Sequence, residues 1–110
     1  MTVVQETLDL PTVLHALSDP MRLRIVAALA SGGELSCGGI GLPVTKSTCS
    51  HHFKVLRDAG VIAQRHHGTS RLNALRRAEL DAAFPGLLDS VLSATLRGRP
   101  PVPPRRRPRA

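Results

Sequence analysis

One stretch, residues 45–60, constrains the fold most. Thr45 is a good N-cap, Gly60 suits the position just past a helix C-terminus, and nothing between them breaks a helix. Cys49, Phe53, Leu56 and Ala59 recur at i, i+4, i+7 and i+10, which makes one apolar stripe. Ser47, Ser50, His51 and Lys54 fall on the other side. Residues 61–64 and 71–74 then read as two short strands, joined by a polar connection over 65–70 that contains Gly68. An amphipathic helix running straight into a small β-hairpin is the nucleus of the expected fold. The rest of the chain predicts helices, so the fold class is mostly α with one hairpin.

Upstream, Leu10, Val13, Leu14 and Leu17 have helical spacing within 2–17. Ser18-Asp19-Pro20 breaks that helix: Ser18 or Asp19 can cap the next one, and Pro20 fits a first turn, where its missing N–H has no intrahelical partner. Residues 21–30 carry a wide apolar face of Met21, Ile25, Val26, Ala28 and Leu29, and Gly32 and Gly33 end it by supplying positive φ. Gly38, Gly39, Gly41 and Pro43 crowd the segment 34–44, which predicts at most a short turn of helix. Downstream, 76–83 is helical, Phe84-Pro85-Gly86 interrupts, and 87–96 resumes with Leu87, Leu88, Val91 and Leu92.

A chain of 110 residues holds one small domain. That domain is expected over 1–96, followed by a disordered Pro/Arg-rich basic tail over 97–110 that cannot pack a core. No apolar run is long enough to span a membrane. The first ten residues carry Glu6 and Asp9 and do not read as a secretory signal. Two cysteines, Cys37 and Cys49, are too few for a disulfide framework, so a reduced, cytoplasmic setting is the expectation.

The net charge of +7 is unevenly placed. Residues 1–44 sum to −2, 45–77 to +6, 78–96 to −3 and 97–110 to +6. A basic block inside a folded region suits a phosphate backbone, because each neutralised phosphate releases counterions. Helix, turn, polar-faced helix and basic hairpin come in the order of a winged helix-turn-helix. A helix fits the major groove, and a reading helix needs small donors and acceptors near its N-terminus with cations behind them. Lys46, Ser47, Thr48, Ser50 and His51 supply the first; Lys54 and Arg57 supply the second. Arg65, His66, His67 and Arg71 would form the wing.

The segments LHALSDPMRLRIVAALASGGELS and KSTCSHHFKVLRDAGVI resemble the ArsR-type winged-helix repressors of bacteria. SDPMRLRIV resembles the second helix of that family, and STCSHHFKVLRDAG its recognition helix. The resemblance implies a homodimer that binds double-stranded DNA at a palindromic operator and leaves it when an inducer binds. It also implies a dimer interface from the first and last helices, here Leu10, Leu14 and Leu17 with Leu80, Phe84, Leu87, Leu88 and Val91. A 96-residue body with almost no aromatic side chains has a modest core of its own, which independently favours a partner.

Metal-sensing relatives place two or three cysteines where ELSCGG stands here, and this chain has Cys37 alone there. Zinc-sensing relatives use acids and histidines on the last helix, and 76–96 contains no histidine. His51 and His52 point about 100° apart on a helix, which does not favour chelation. His15 stands alone and reads as structural or interfacial. No metal and no cofactor are therefore expected. Cys49 lies on the apolar stripe, and Cys37 can meet it if the segment between folds back, so a thiol- or metal-responsive sensor is one alternative. A non-specific basic nucleic-acid-binding protein is another. Enzyme motifs such as G-x-S-x-G, H-E-x-x-H or a phosphate-binding glycine loop do not occur.

Overall fold

The computed structural model describes residues 8–96. Eight elements follow in order: α1 (Leu10–Ala16), α2 (Pro20–Gly32), α3 (Cys37–Ile40), α4 (Lys46–Asp58), β1 (Ile62–His67), β2 (Ser70–Leu75), α5 (Arg77–Ala83) and α6 (Leu87–Leu96). The basic tail expected over 97–110 lies outside the described residues.

Side-chain caps set the helix starts. The Thr12 N–H donates to the Asp9 carboxylate, which caps α1 at 3.0 Å. Asp19, not Ser18, caps α2, accepting from the N–H groups of Met21 and Arg22 at 2.8 and 3.2 Å. Ser36 caps α3 and Thr45 caps α4. Each satisfies an amide that has no intrahelical partner. At the far end of α2 Gly32 is still helical, and Gly33 alone takes the positive φ of 77°. The glycine-rich segment forms only the four-residue α3.

The hairpin is longer than its sequence suggested. Pairing runs from Ile62↔Leu75 to His67↔Ser70, so Arg65, His66 and His67 belong to β1 and not to a loop. Only Gly68 and Thr69 form the turn, with Gly68 at φ 63°. That positive φ is what a two-residue hairpin turn requires. Leu35 adds a further antiparallel bridge to Asn73, through amide bonds of 3.0 and 2.9 Å. The link between α2 and α3 is thereby stitched to the wing. Asn73 is fully buried. Its side chain donates to the Leu35 carbonyl and accepts from Gln64, which keeps the amide satisfied.

The core lies between α1, α2, α4, the base of the hairpin and the last two helices. Val13, Ile25, Val26, Phe53, Leu56, Val61, Ile62 and Leu92 are among its members. Of the apolar residues assigned to a dimer interface, Leu17, Leu80 and Leu88 are buried in this single-chain core. Phe84, Leu87 and Val91 are half-buried against it. Leu10 and Leu14 face solvent at 42 % and 46 % exposure. Among the described residues, no helix is long and apolar enough to cross a membrane.

Candidate nucleic-acid interface

Helix α4 divides as its stripe predicts. Cys49, Phe53 and Leu56 are buried, and Ala59 follows at the cap. Lys46, Ser47, Thr48, Ser50, His51, Lys54 and Arg57 are all exposed. Thr48 also receives a hydrogen bond from the Thr45 hydroxyl at 2.9 Å, so part of its capacity serves the cap. Arg65, His66, His67 and Arg71 are exposed on the wing, with His66 opposite Arg71 in the ladder.

A cleft of about 870 Å³ separates α3 and α4 from the wing. Lys46, Ser50, Lys54, Arg57 and Arg71 line it together, along with Thr69 and Ser70 of the hairpin. Ser47, Thr48, His51, Arg65, His66 and His67 lie outside that lining. The cations are not equivalent. The Lys54 ammonium binds Asp58 at 2.7 Å, and that bond with the Lys54 charge holds Asp58 below the usual carboxylate range. Lys46, Arg57 and Arg71 have no ion-pair partner among the described residues.

A helix-turn-helix domain model matches residues 17–65, which run from just after α1 into β1. The HTH-type transcriptional regulator YceK of Bacillus subtilis is 40% identical over 82 residues, covering 72% of this chain and 82% of that protein. The arsenical resistance operon repressor of Staphylococcus xylosus is 34% identical over 74 residues, covering 66% and 71%. A crystal structure of a possible transcriptional regulator for arsenical resistance superposes with a TM-score of 0.60 at 28% identity, covering 82% of this chain and 98% of that one. The repressor BigR of Xylella fastidiosa shares the fold, with a TM-score of 0.63 at 23% identity over 84% and 88% of the two chains. The chain belongs to the ArsR-type family of winged helix-turn-helix transcriptional regulators.

In this ArsR-type regulator two polar pairings escaped the sequence. The first holds α4 from behind. Arg22, only 8 % exposed, donates from Nε to the Ala16 carbonyl at 2.7 Å, and its Nη1 meets Nδ1 of the buried His52 at 3.1 Å. A guanidinium can only donate, so Nδ1 accepts and the neutral ring carries its proton on Nε2. That nitrogen faces Asp19 at 3.9 Å. Burial acts to raise the Asp19 carboxyl, but the Arg22 and Met21 amides, together with the Arg22 charge, outweigh it and lower it. One arginine therefore links α1, α2 and α4.

The second pairing occupies the wing. Glu34, between α2 and α3, grips Arg65 of β1 through two bonds of 2.6 and 2.7 Å. The Arg65 bond, its charge and that of His67 hold Glu34 below its ordinary range, while Arg65 is raised by the same bond. The ion pair is complete above the ordinary carboxylate range and is lost as pH falls through the lowered Glu34 value. An arginine gripped this way is a poorer partner for a phosphate. Glu34→Gln should free it, steepening the salt dependence of DNA binding by up to about one unit and tightening binding roughly fivefold near 0.15 M salt. Anisotropy titrations of both chains across a salt series measure this. Weaker binding by the variant would mean instead that Glu34 holds the wing in its working position.

Among the described residues, no group of three or more histidines, cysteines or acids is placed to hold a metal ion.

Proposed function

We propose that this regulator is a cytoplasmic, homodimeric repressor, not an enzyme, that reads an inverted-repeat operator. The observation that carries this is the outer face of α4, where Lys46, Ser50 and Arg57 share one cleft with Arg71 of the wing. Ser47, Ser50 and His51 are the groups assigned to base edges in the major groove, and Lys46, Arg57 and Arg71 those assigned to phosphates. His66 and His67 extend the wing toward the flanking backbone. The names of the relatives, an arsenical resistance operon repressor and the repressor SdpR of Bacillus subtilis among them, support repression as the outcome.

Exposed Leu10 and Leu14, with half-buried Phe84, Leu87 and Val91, are the apolar surface assigned to the second copy. Leu17, Leu80 and Leu88 support that surface from the core. A two-fold dimer places its half-sites about one helical turn, roughly 10 bp, apart or a multiple of it. The residues 1–96 form the specific unit, and the six arginines of 97–110 add sequence-independent affinity.

Fluorescence anisotropy of the full chain and of a 1–96 truncation, against the gene's own upstream DNA and a scrambled duplex, tests the proposal. A preference of about 10³-fold for the native DNA, kept by the truncation, is the expected result. Equal binding to both duplexes, lost with the tail, would make the chain a non-specific basic binder instead.

A further inference from the structure

Cys37 is the first residue of α3, and Cys49 lies on the inner face of α4. The two short-range neighbours α3 and α4 pack together, and both cysteines line the cleft between recognition helix and wing. Cys37 is half-exposed and Cys49 buried, so solvent reaches the pair through Cys37. Both cysteines therefore face the same space. No disulfide joins them in this structure.

The backbone around Cys37 can yield. Helix α3 is four residues long and buries none of them. Space is open around Gly38, and Gly41 turns the chain at φ 70°. A disulfide requires Cα atoms about 4.4–6.8 Å apart and a dihedral near 90°, and a short, glycine-flanked helix can adjust to that at little cost. The buried stripe of α4 cannot move as freely, because Cys49 shares it with Phe53 and Leu56.

We propose that Cys37 and Cys49 are an oxidisable dithiol whose disulfide ties α3 to the recognition helix and releases DNA. The second half rests on the DNA-binding reading above. The oxidant class is a hydroperoxide. With hydrogen peroxide, the Cys37 thiolate attacks one oxygen, the O–O bond breaks, Cys37 becomes a sulfenic acid, and the departing hydroxide takes up the proton the thiol had released and leaves as water. The Cys49 sulfur then attacks that sulfur, the S–O bond breaks, and a second water departs with the remaining thiol proton. Two thiols give up two electrons to one peroxide. The bond draws the yielding α3 against a fixed α4 and so reshapes the cleft that Lys46, Ser50 and Arg71 line, between the reading face and the wing.

Burial, then the Cys49 thiol beside it, push Cys37 up to about 11, with Arg57 and Arg71 opposing. The thiolate is the nucleophile, so the pair reacts slowly at neutral pH and answers sustained rather than brief oxidation. Its oxidation rate should rise about tenfold per pH unit from neutrality towards that value.

The test uses the full chain, reduced and then treated with hydrogen peroxide. Intact mass should show loss of two hydrogens from a monomeric chain, and peptide mapping should join Cys37 to Cys49. Affinity for the native upstream DNA should fall about tenfold, within the usual range of coupling between sites, and return on adding a reductant. Cys37→Ser and Cys49→Ala are each compared with themselves before and after peroxide, and neither should change by more than about twofold. Chains linked only to one another, a disulfide that leaves affinity unchanged, or a rate independent of pH would each overturn the proposal. If the reduced chain shows no preference for native over scrambled DNA, the release step fails with the DNA-binding reading, while mass and mapping still decide the disulfide.

Discussion

Replacing Arg22 with methionine is expected to lower the stability of the folded domain by about 3 kcal/mol, far beyond a surface substitution. Methionine keeps much of the arginine's apolar length but donates nothing. The Ala16 carbonyl, which receives Nε at 2.7 Å, and His52 Nδ1, which meets Nη1 at 3.1 Å, would both be left without a donor. Both groups sit where water has poor access, with His52 itself only 9 % exposed. An unsatisfied buried acceptor costs about 1–3 kcal/mol, and two of them compound. The His15 carbonyl loses only a 3.4 Å contact and keeps the Ser18 amide and hydroxyl, so it adds little. Urea unfolding followed by circular dichroism measures the difference, and an unchanged m-value would show that the compactness of the end states is preserved. Arg22→Lys, which can reach one acceptor but not all three, should fall between. A methionine variant within about 1 kcal/mol of the parent would show that α4 is held by its apolar stripe alone.

That network marks where the sequence stopped being legible. The stripe Cys49, Phe53, Leu56 and Ala59 has a period that only a helix satisfies, and all four are buried. His52 sits beside Phe53 on the turn, outside any apolar count, and is buried because the first turn of α2 brings Arg22 against it. An arginine is ordinarily a surface residue, and nothing local to Arg22 reveals a partner thirty positions away. Glu34 and Arg65 pose the same difficulty: 31 residues separate them, and only the bridge between Leu35 and Asn73 brings the α2–α3 link beside the wing.

The hairpin failed differently. His66 and His67 lack the apolar alternation of a strand, yet backbone pairing carries the ladder to His67↔Ser70 whatever the side chains. Local chemistry was sufficient where the signal was steric. The glycines of 34–44 limited α3 to four residues, and Asp19-Pro20 began α2 as expected. The exposed residues of α4 were equally legible, since the face opposite the stripe must turn outward. Their division into free and neutralised cations was not, because the Lys54–Asp58 and Arg65–Glu34 pairings decide it.

That division carries the largest functional prediction. Changing Lys46 and Arg71 together to alanine should weaken binding to any duplex roughly 30-fold at about 0.15 M salt. Neither cation has an ion-pair partner among the described residues, and they stand on opposite sides of one cleft, on α4 and on β2. Each is therefore assigned one phosphate. A phosphate contact adds about 0.9 to the slope of log affinity against log salt, so losing two should flatten it by nearly two units. The loss should apply to native and scrambled DNA alike, leaving their ratio intact, because phosphates carry no sequence. Lys54→Ala should do less, because its ammonium already binds Asp58. Ser50→Ala and His51→Ala should behave in the opposite way: little change in slope, but a drop in preference for the native duplex. Anisotropy titrations at four or more salt concentrations separate the two patterns. A double variant that keeps the parent slope would place the DNA elsewhere on the molecule, and a loss confined to native DNA would move Lys46 or Arg71 from the backbone to the base edges.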